Sequence, residues 1–398
     1  MRKFSALLLF LLATNVQAAT DVKDWTFLIY LNGNNSLDSF GPVNLKEMEK
    51  VGSTSQINVV VQWASLSAGK TKRLFVTKSS DPTQVNSPIL EDMGKVDMGD
   101  YHTLVDFVKW GVKNYPAKRY FVNVWNHGGG WHLKQLQLGL SGTGDFHTTD
   151  ISWDDVSGNH ISTEQLGVAM KESAAIIGHK VDIYGSDACL MSMAEVADEM
   201  GESVDTFVGS QEVEPGAGWP YDTFLSRWDA IKNSTPRDVG IALTDEYVKS
   251  YQGGTHGTQE VTFSAFDLSK MEKINRAVSE LGARMMSLKD EDKAKVVTAI
   301  SQTQTFTYSD YGDLLDFLTL VEKSNLSSMR PDTFTAVREA MKEFIVDNKV
   351  TSRYGRATGL SIWLPGTSSA YKAYGERYHG LKFNTHTGWG DALDFLNK

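Results

Sequence analysis

Val181-Asp182-Ile183-Tyr184-Gly185-Ser186-Asp187-Ala188-Cys189-Leu190-Met191 begins as a buried-strand pattern and passes directly into a predicted helix, Leu190 to Met200. Its cysteine is the only one in 398 residues. With no second sulfur to pair with or to share a metal with, Cys189 reads either as a buried small hydrophobe or as a nucleophile. An earlier stretch ends in a comparable way. Arg119 to Trp125 is a strand pattern that stops at Asn126-His127-Gly128-Gly129-Gly130-Trp131, where three successive glycines break it. Between the two, Ser162-Thr163-Glu164-Gln165 opens a helix that reaches Ile177. Strand, crossover helix and strand predict a parallel pair whose carboxyl ends share one edge of a sheet, the edge where ligands bind. His127 and Cys189 then become neighbours.

Outward from this pair, the same alternation continues. Trp25 to Leu31 and Ile57 to Trp63 read as buried strands, Asn44 to Val51 and Thr103 to Asn114 as helices, and Val204 to Ser210 as a further strand. The expected fold is α/β, a mostly parallel sheet over residues 24–230 flanked by helices. From Leu268 the pattern turns helical, with segments near Met271 to Leu288, Asp290 to Ser301, Leu314 to Lys323 and Pro331 to Asp347. These predict a helix-rich subdomain over 268–350, followed by a closing strand at 359–364. No linker rich in Pro or Ser separates the parts, so residues 19–398 are read as one unit.

Residues 1–18 read as a cleaved signal peptide: Arg2 and Lys3, an apolar run from Phe4 to Ala13, then Val16-Gln17-Ala18. The run is too short to span a bilayer, and no other stretch is long enough. The mature chain is therefore expected to be periplasmic or extracellular, without stable membrane insertion, and a monomer. Exported proteins mostly use cysteines in pairs, which makes a single thiol a candidate for reactivity. A formal charge of −10 argues against a nucleic-acid surface.

The residue types define a chemistry. A thiol in the first turn of a helix feels the positive end of the helix dipole, which favours the thiolate. A nearby imidazole can take the thiol proton and later deliver it to an amine leaving group. The Gly128 and Cys189 amides could together hold an oxyanion. Other candidates are weaker. His127 and His132 lack a third metal ligand at suitable spacing. Asp198 and Glu199 read as the solvated face of the helix after Cys189. Trp125, Trp131 and Trp219 flank the expected cleft, either as subsite walls or as core.

Taken together, several ordered blocks resemble the clostripain family of cysteine peptidases, which has the caspase-like fold. They are Trp25-Thr26-Phe27-Leu28-Ile29-Tyr30-Leu31, Asn126-His127-Gly128, Trp153-Asp154-Asp155, Asp187-Ala188-Cys189-Leu190-Met191 and Glu214-Pro215-Gly216-Ala217-Gly218-Trp219, with a late match at Arg356-Ala357-Thr358-Gly359-Leu360-Ser361-Ile362. The resemblance implies His127 as catalytic histidine and Cys189 as nucleophile in a secreted endopeptidase that cleaves after Arg or Lys. A carboxylate two residues before the thiol would hinder its ionisation unless it faced elsewhere, so Asp187 is expected at the base of the neighbouring pocket, pairing with a basic substrate side chain as the resemblance also implies; the alternative is a helix N-terminal acid that satisfies free amides. Many relatives carry a further acid inside the Pro-Gly-x-Gly-Trp loop. Here that position is Ala217, so a second pocket charge is not expected from it. Relatives are often activated by a cut between the histidine and cysteine strands, and Lys134 is the only Lys or Arg between His127 and Lys171. No cofactor is required on this reading; some relatives use calcium, for which Asp97, Asp100, Asp154 and Asp155 are the available acids, without an ordered calcium-loop spacing. The competing expectation is a catalytically silent exported binding protein of the same fold.

Overall fold

The computed structural model describes residues 22–132, 134–136, 146–148, 150–327 and 329–398; the signal-peptide reading at 1–18 lies outside them. Nine strands form the main sheet: β1 (Lys23–Gly33), β2 (Ile57–Ser65), β3 (Lys70–Phe75), β4 (Ile89–Gly94), β5 (Ala117–Trp125), β6 (Val181–Asp187), β7 (Val204–Gly209), β8 (Thr262–Asp267) and β9 (Ile345–Val350). Their spatial order is β9-β8-β7-β6-β5-β1-β2-β3-β4. The central run β7-β6-β5-β1-β2 is parallel throughout. Antiparallel pairs extend it on both sides, β3 and β4 at one edge, β8 and β9 at the other. After β2 the chain returns to place β5 on the opposite side of β1. That reversal opens a crevice at the carboxyl ends of β1 and β5, the place where open α/β sheets bind ligands.

Both faces of the sheet are covered, which explains why β1 is apolar without alternation. Trp25, Phe27, Ile29 and Leu31 pack with Leu45 and Met48 of helix α1 (Gly41–Val51) and with Phe224 and Trp228 further along the chain. Leu28 and Tyr30 point the other way, toward Leu104 and Phe107 of α2 (Tyr101–Asn114). α3 (Thr163–Ile177) starts at the expected capping box, with Ser162 and Gln165 satisfying each other's amides.

α4 (Ala194–Met200) corrects one expectation: it does not begin at Leu190. Leu190 to Met193 are occupied by pairing with distant chain. The Leu190 N–H donates to the Glu212 carbonyl at 3.2 Å, the Ser192 N–H to the Ser210 carbonyl at 2.9 Å, and Met193 bridges Ser361. Cys189 therefore lies before the helix rather than in its first turn. Asp198 and Glu199 are not a solvated face either; both are buried. Asp198 accepts from Asn275 at 2.6 Å and lies 2.8 Å from the His386 ring, and Glu199 accepts from the Lys382 N–H at 2.8 Å. The covering elements are α7 (Met271–Met285) and α12 (Lys382–Thr387), from the helix-rich portion that also contains α5 (Tyr221–Ala230) and α6 (Pro236–Tyr251) upstream, then α8 (Asp290–Gln302), α9 (Leu314–Lys323), α10 (Pro331–Phe344), α11 (Ser368–His379) and α13 (Trp389–Asn397). The strand expected at 359–364 forms at Ser361–Trp363. It pairs with Tyr311–Asp313 and does not join the main sheet.

Within α4, Glu195 is fully buried and accepts from the Trp363 N–H and the Tyr378 hydroxyl, both at 2.9 Å. Burial pushes its carboxyl up to about 7. A raised carboxyl stabilises the fold at low pH and loses that contribution as pH rises through the folded value. Glu195→Gln is expected to gain on wild type by about 2 kcal/mol between about pH 5 and pH 8.5, read from denaturant midpoints. An unchanged difference across that window would show that the carboxyl is already ionised when folded.

Candidate active site

β5 and β6 run in register to their ends, with Asp187 opposite Trp125, and the Asn126 N–H donates to the Asp187 carbonyl at 3.2 Å. The loops leaving the two strands therefore start side by side. Gly128 lies directly on the Cys189 backbone: a Cβ at residue 128 would stand 2.5 Å from the Cys189 carbonyl oxygen and 3.2 Å from its nitrogen. Only glycine fits there. The expected juxtaposition of the His127 and Cys189 loops is thus present, and both side chains are half-buried.

A group that the sequence analysis did not single out holds the imidazole. Ser36 Oγ lies 2.9 Å from His127 Nε2. It sits in the turn after β1, which is tied to the 152–155 segment on three sides: Asn35 Nδ2 donates to the Trp153 carbonyl at 2.7 Å, Asn34 Nδ2 to Asp154 Oδ2 at 2.8 Å, and the Asp155 N–H to the Asn34 carbonyl at 2.8 Å. Which partner donates in that contact follows the imidazole tautomer. Burial pushes His127 down to about 4, partly opposed by Asp155.

Cys189 departs from the expected thiolate. Burial pushes it up to about 12, and Glu214 and Glu212 add to the shift. The dipole argument fails because α4 starts five residues later. The Glu214 N–H does reach Sγ, at 3.3 Å. One amide does not offset desolvation and two nearby acids, so the resting pair is a neutral thiol and a neutral imidazole.

Asp187 ends β6, buried beneath the Pro215–Trp219 loop. The Tyr221 hydroxyl donates to Asp187 Oδ2 at 2.6 Å. Gly218 closes over it in a left-handed conformation, φ 65°, where a Cβ would stand 3.0 Å from Asp187 Oδ1. Asn44 of α1 links the walls, donating to the Ala217 carbonyl at 2.9 Å and accepting from Trp125 Nε1 at 2.8 Å. Trp125 and Trp219 are accordingly buried beside the site. The position of Ala217 leaves the pocket no acid there, yet a second acid is present three residues earlier. Glu214 is 8% exposed and packed against Asp187, with which it shares a hydrogen bond, and the Trp219 ring and the Ala188 backbone also lie against its carboxyl. Burial pushes both carboxyls up; the Asp187 charge raises Glu214 further, while hydrogen bonds from Tyr221 and Glu214 partly lower Asp187. No lysine or arginine compensates this pair among the ion pairs of the described residues.

The late sequence block has its role in holding this loop. Glu212 accepts from the Tyr354 hydroxyl at 2.7 Å and from the Thr307 hydroxyl. Gln211 Nε2 donates to Asp313 Oδ2 and to Ser361 Oγ, both at 3.1 Å, and the Gly359 N–H donates back to Gln211 Oε1 at 3.0 Å. The helix-rich portion thereby fixes residues 211–214, whose amide touches the thiol.

Other candidates lie elsewhere. His132 is buried 3.2 Å from Asp310, with its ring stacked on Tyr374, and Trp131 packs on Trp363 and Tyr378 in the core. Among the described residues no three His, Cys, Asp or Glu side chains gather as metal ligands. The acids considered for calcium have protein partners: Asp154 accepts from Asn34, Met98, Val156 and Ser157, Asp97 from Ser157 and Asn159, and Asp100 caps α2. Lys134 begins a short strand, Lys134–Leu136, paired with Phe146–Thr148; its side chain lies outside the described residues. No described helix is long and apolar enough to cross a membrane.

A mostly parallel sheet with histidine and cysteine on adjacent carboxyl ends is the arrangement of the caspase-like cysteine peptidases. The chain belongs to the clostripain family, whose model matches residues 29–395. It is 28% identical over 348 residues to clostripain of Hathewaya histolytica, covering 75% of this chain and 63% of that protein. The chain thus spans less than two thirds of that relative's length. Among solved structures, a secreted C11 cysteine protease from Bacteroides thetaiotaomicron, in complex with an irreversible peptide inhibitor, superposes with a TM-score of 0.68 at 18% identity, over 92% of this chain and 99% of that one. An inactive zymogen C11 protease from Parabacteroides distasonis gives 0.69 at 20%, over 92% and 98%. These two establish the shared fold.

Proposed function

We propose that the protein is an exported cysteine endopeptidase that cleaves polypeptides after Arg or Lys. One observation carries this reading: an uncompensated buried acid pair, Asp187 and Glu214, adjoins the only thiol, beside a histidine loop. A basic side chain enters toward Asp187 and supplies the missing cation. As Cys189 Sγ attacks the carbonyl carbon, its proton passes to His127, so charge separation occurs only while the bond forms. The Gly128 and Cys189 amides receive the oxyanion. The C–N bond then breaks, His127 protonates the departing amine, and water hydrolyses the thioester. Ser36 orients the imidazole through its contact with Nε2. An amine in place of water would make the same acyl-enzyme a ligase intermediate.

Fluorogenic peptides ending in Arg, Lys, Ala or Asp test the reading. Cleavage confined to the basic pair supports it. A silent binding protein would cut none, and its Cys189 would react with iodoacetamide no faster than a free model thiol.

Self-processing after Lys134 belongs to the same proposal, because that lysine is the only basic residue between His127 and Lys171. Mass spectrometry of purified protein is expected to show cleavage after Lys134 in wild type and an intact chain in Cys189→Ala. A cut that persists in the variant would assign it to another protease.

A further inference from the structure

The backbone after His127 is held by residues far along the chain. Gly128 stands opposite Ile151 in an antiparallel bridge, and the bond is made one residue on, where the Gly129 N–H donates to the Asp150 carbonyl at 3.0 Å. Gly128 is thus at a non-hydrogen-bonded position of the pair, and its own N–H is not directed at residue 151. From the other side the Tyr311 hydroxyl donates to the Gly129 carbonyl at 2.7 Å, so both backbone groups of Gly129 are engaged. Asp150, which supplies the first of these bonds, is fully buried. Arg377 of α11 donates from Nη2 to both of its carboxylate oxygens, at 3.1 and 2.9 Å, and to Glu164 Oε2 of α3 at 3.1 Å. The guanidinium also stands 5.9 Å from the Trp131 ring. His160 Nε2 lies 3.6 Å from Asp150 Oδ2 and Thr163 Oγ1 3.5 Å from Oδ1; among the described residues Arg377 is the only arginine or lysine paired with Asp150.

We propose that Arg377 is a positioning residue for catalysis: by holding the Asp150 carboxylate in the interior it locks the register of residues 150–151 against 128–129, and so keeps the Gly128 amide available to the oxyanion. The inference rests on the reading of Gly128 as an oxyanion donor beside Cys189. A one-residue slip of an antiparallel pair turns each group to the opposite side, which would direct the Gly128 N–H at the 150–151 segment and away from the reacting carbonyl. A carboxylate as deeply buried as Asp150 does not stay in place without its cation; it moves toward water and takes its own backbone with it. Arg suits the position because its guanidinium reaches two carboxylates, Asp150 and Glu164, from one place. Arg377 itself touches neither the thiol nor the imidazole. Its effect passes through Asp150 and Gly129 to the residue that lies on Cys189.

Arg377→Met is compared with wild type as full chains on an Arg peptide, well below each melting midpoint so that folded protein is read. The variant is expected to lose about 10²-fold in kcat with KM within about threefold of wild type, the size of effect that follows loss of one oxyanion donor. A peptidyl-arginine aldehyde gives a second readout: its carbonyl carbon bonds to Cys189 Sγ, the thiol proton passes to its oxygen, and that oxygen stands where the oxyanion would. Its affinity is expected to fall by the same factor as kcat. Adding Asp150→Asn to Arg377→Met removes the stranded charge and is expected to restore both to within about tenfold of wild type. A lower melting temperature with kcat and aldehyde affinity unchanged would leave Arg377 a structural role alone and overturn the proposal. Loss of kcat without loss of aldehyde affinity would overturn it too, since the oxyanion donor would then be in place. Amide exchange on the wild type needs no variant and no activity: the Gly129 N–H is expected among the slowly exchanging amides. An N–H there that exchanges like an unpaired loop amide would sink the register lock and leave the peptidase reading intact. Wild-type protein that cleaves no peptide would remove the peptidase reading instead, and the positioning role with it.

Discussion

Cys189→Ala is expected to lower kcat/KM on an Arg reporter peptide by at least about 10⁴-fold, and His127→Ala to bring it close to the same floor. The two losses are expected to be non-additive, with the double variant no worse than either single one. The thiol is the only sulfur nucleophile in the chain, and its resting form is protonated. Without an acceptor for that proton it attacks slowly; without sulfur the imidazole has nothing to activate. Residual catalysis then comes from substrate positioning and the oxyanion donors alone. Both side chains are half-buried at loop positions, so the melting temperature should move by no more than a few degrees. A His127→Ala enzyme that kept a tenth or more of wild-type kcat would remove the imidazole from the mechanism. Cleavage persisting in Cys189→Ala would remove the thiol.

Asp187→Asn is expected to lower kcat/KM for Arg and Lys peptides by about 10²- to 10³-fold, with little change for Ala peptides, because truncating one partner of a buried charge pair costs about 3–4 kcal/mol. The substitution keeps the shape of the site. Asn can still accept from the Tyr221 hydroxyl, now at 2.6 Å from Asp187 Oδ2, and Gly218 leaves no room for a larger group. What it removes is the charge. In the free protein the change relieves repulsion with Glu214, so the variant should be at least as stable as wild type at neutral pH. A parallel loss on Ala peptides would mean that Asp187 holds the loop rather than the substrate. Unchanged Arg cleavage would remove it from the pocket altogether.

The strands and helices near the site were legible because their signals are local. β1, β2, β5, β6 and β7 are apolar runs bounded by turn residues, and the parallel core buries both faces of each. The edge strands were not. β4 is exposed along most of its length and β9 carries Asp347, Asn348 and Lys349, so neither shows an apolar pattern; their pairing is decided by β3 and β8. Ser36 is visible only as a polar residue in an Asn-rich turn after a strand. The order β2-β1-β5 turns that into a position at the switch point, next to His127. Glu214 stands in the quoted Glu214–Trp219 block, but nothing local distinguishes it from the exposed acids of a soluble chain.

By itself the sequence determined the residue types and the strand ends that carry them: a histidine followed by glycines, a solitary cysteine behind an aspartate, and a crossover helix between the two. These follow from side-chain periodicity and turn chemistry within a few residues. Only the tertiary structure decided the charge state of the site. Cys189 is held as a thiol because Leu190 to Met193 pair with residues 210–212 and Ser361, which delays the helix and brings Glu212 and Glu214 beside the sulfur. Ionisation depends on burial and on charges supplied by segments far along the chain, and neither is encoded in the neighbouring residues.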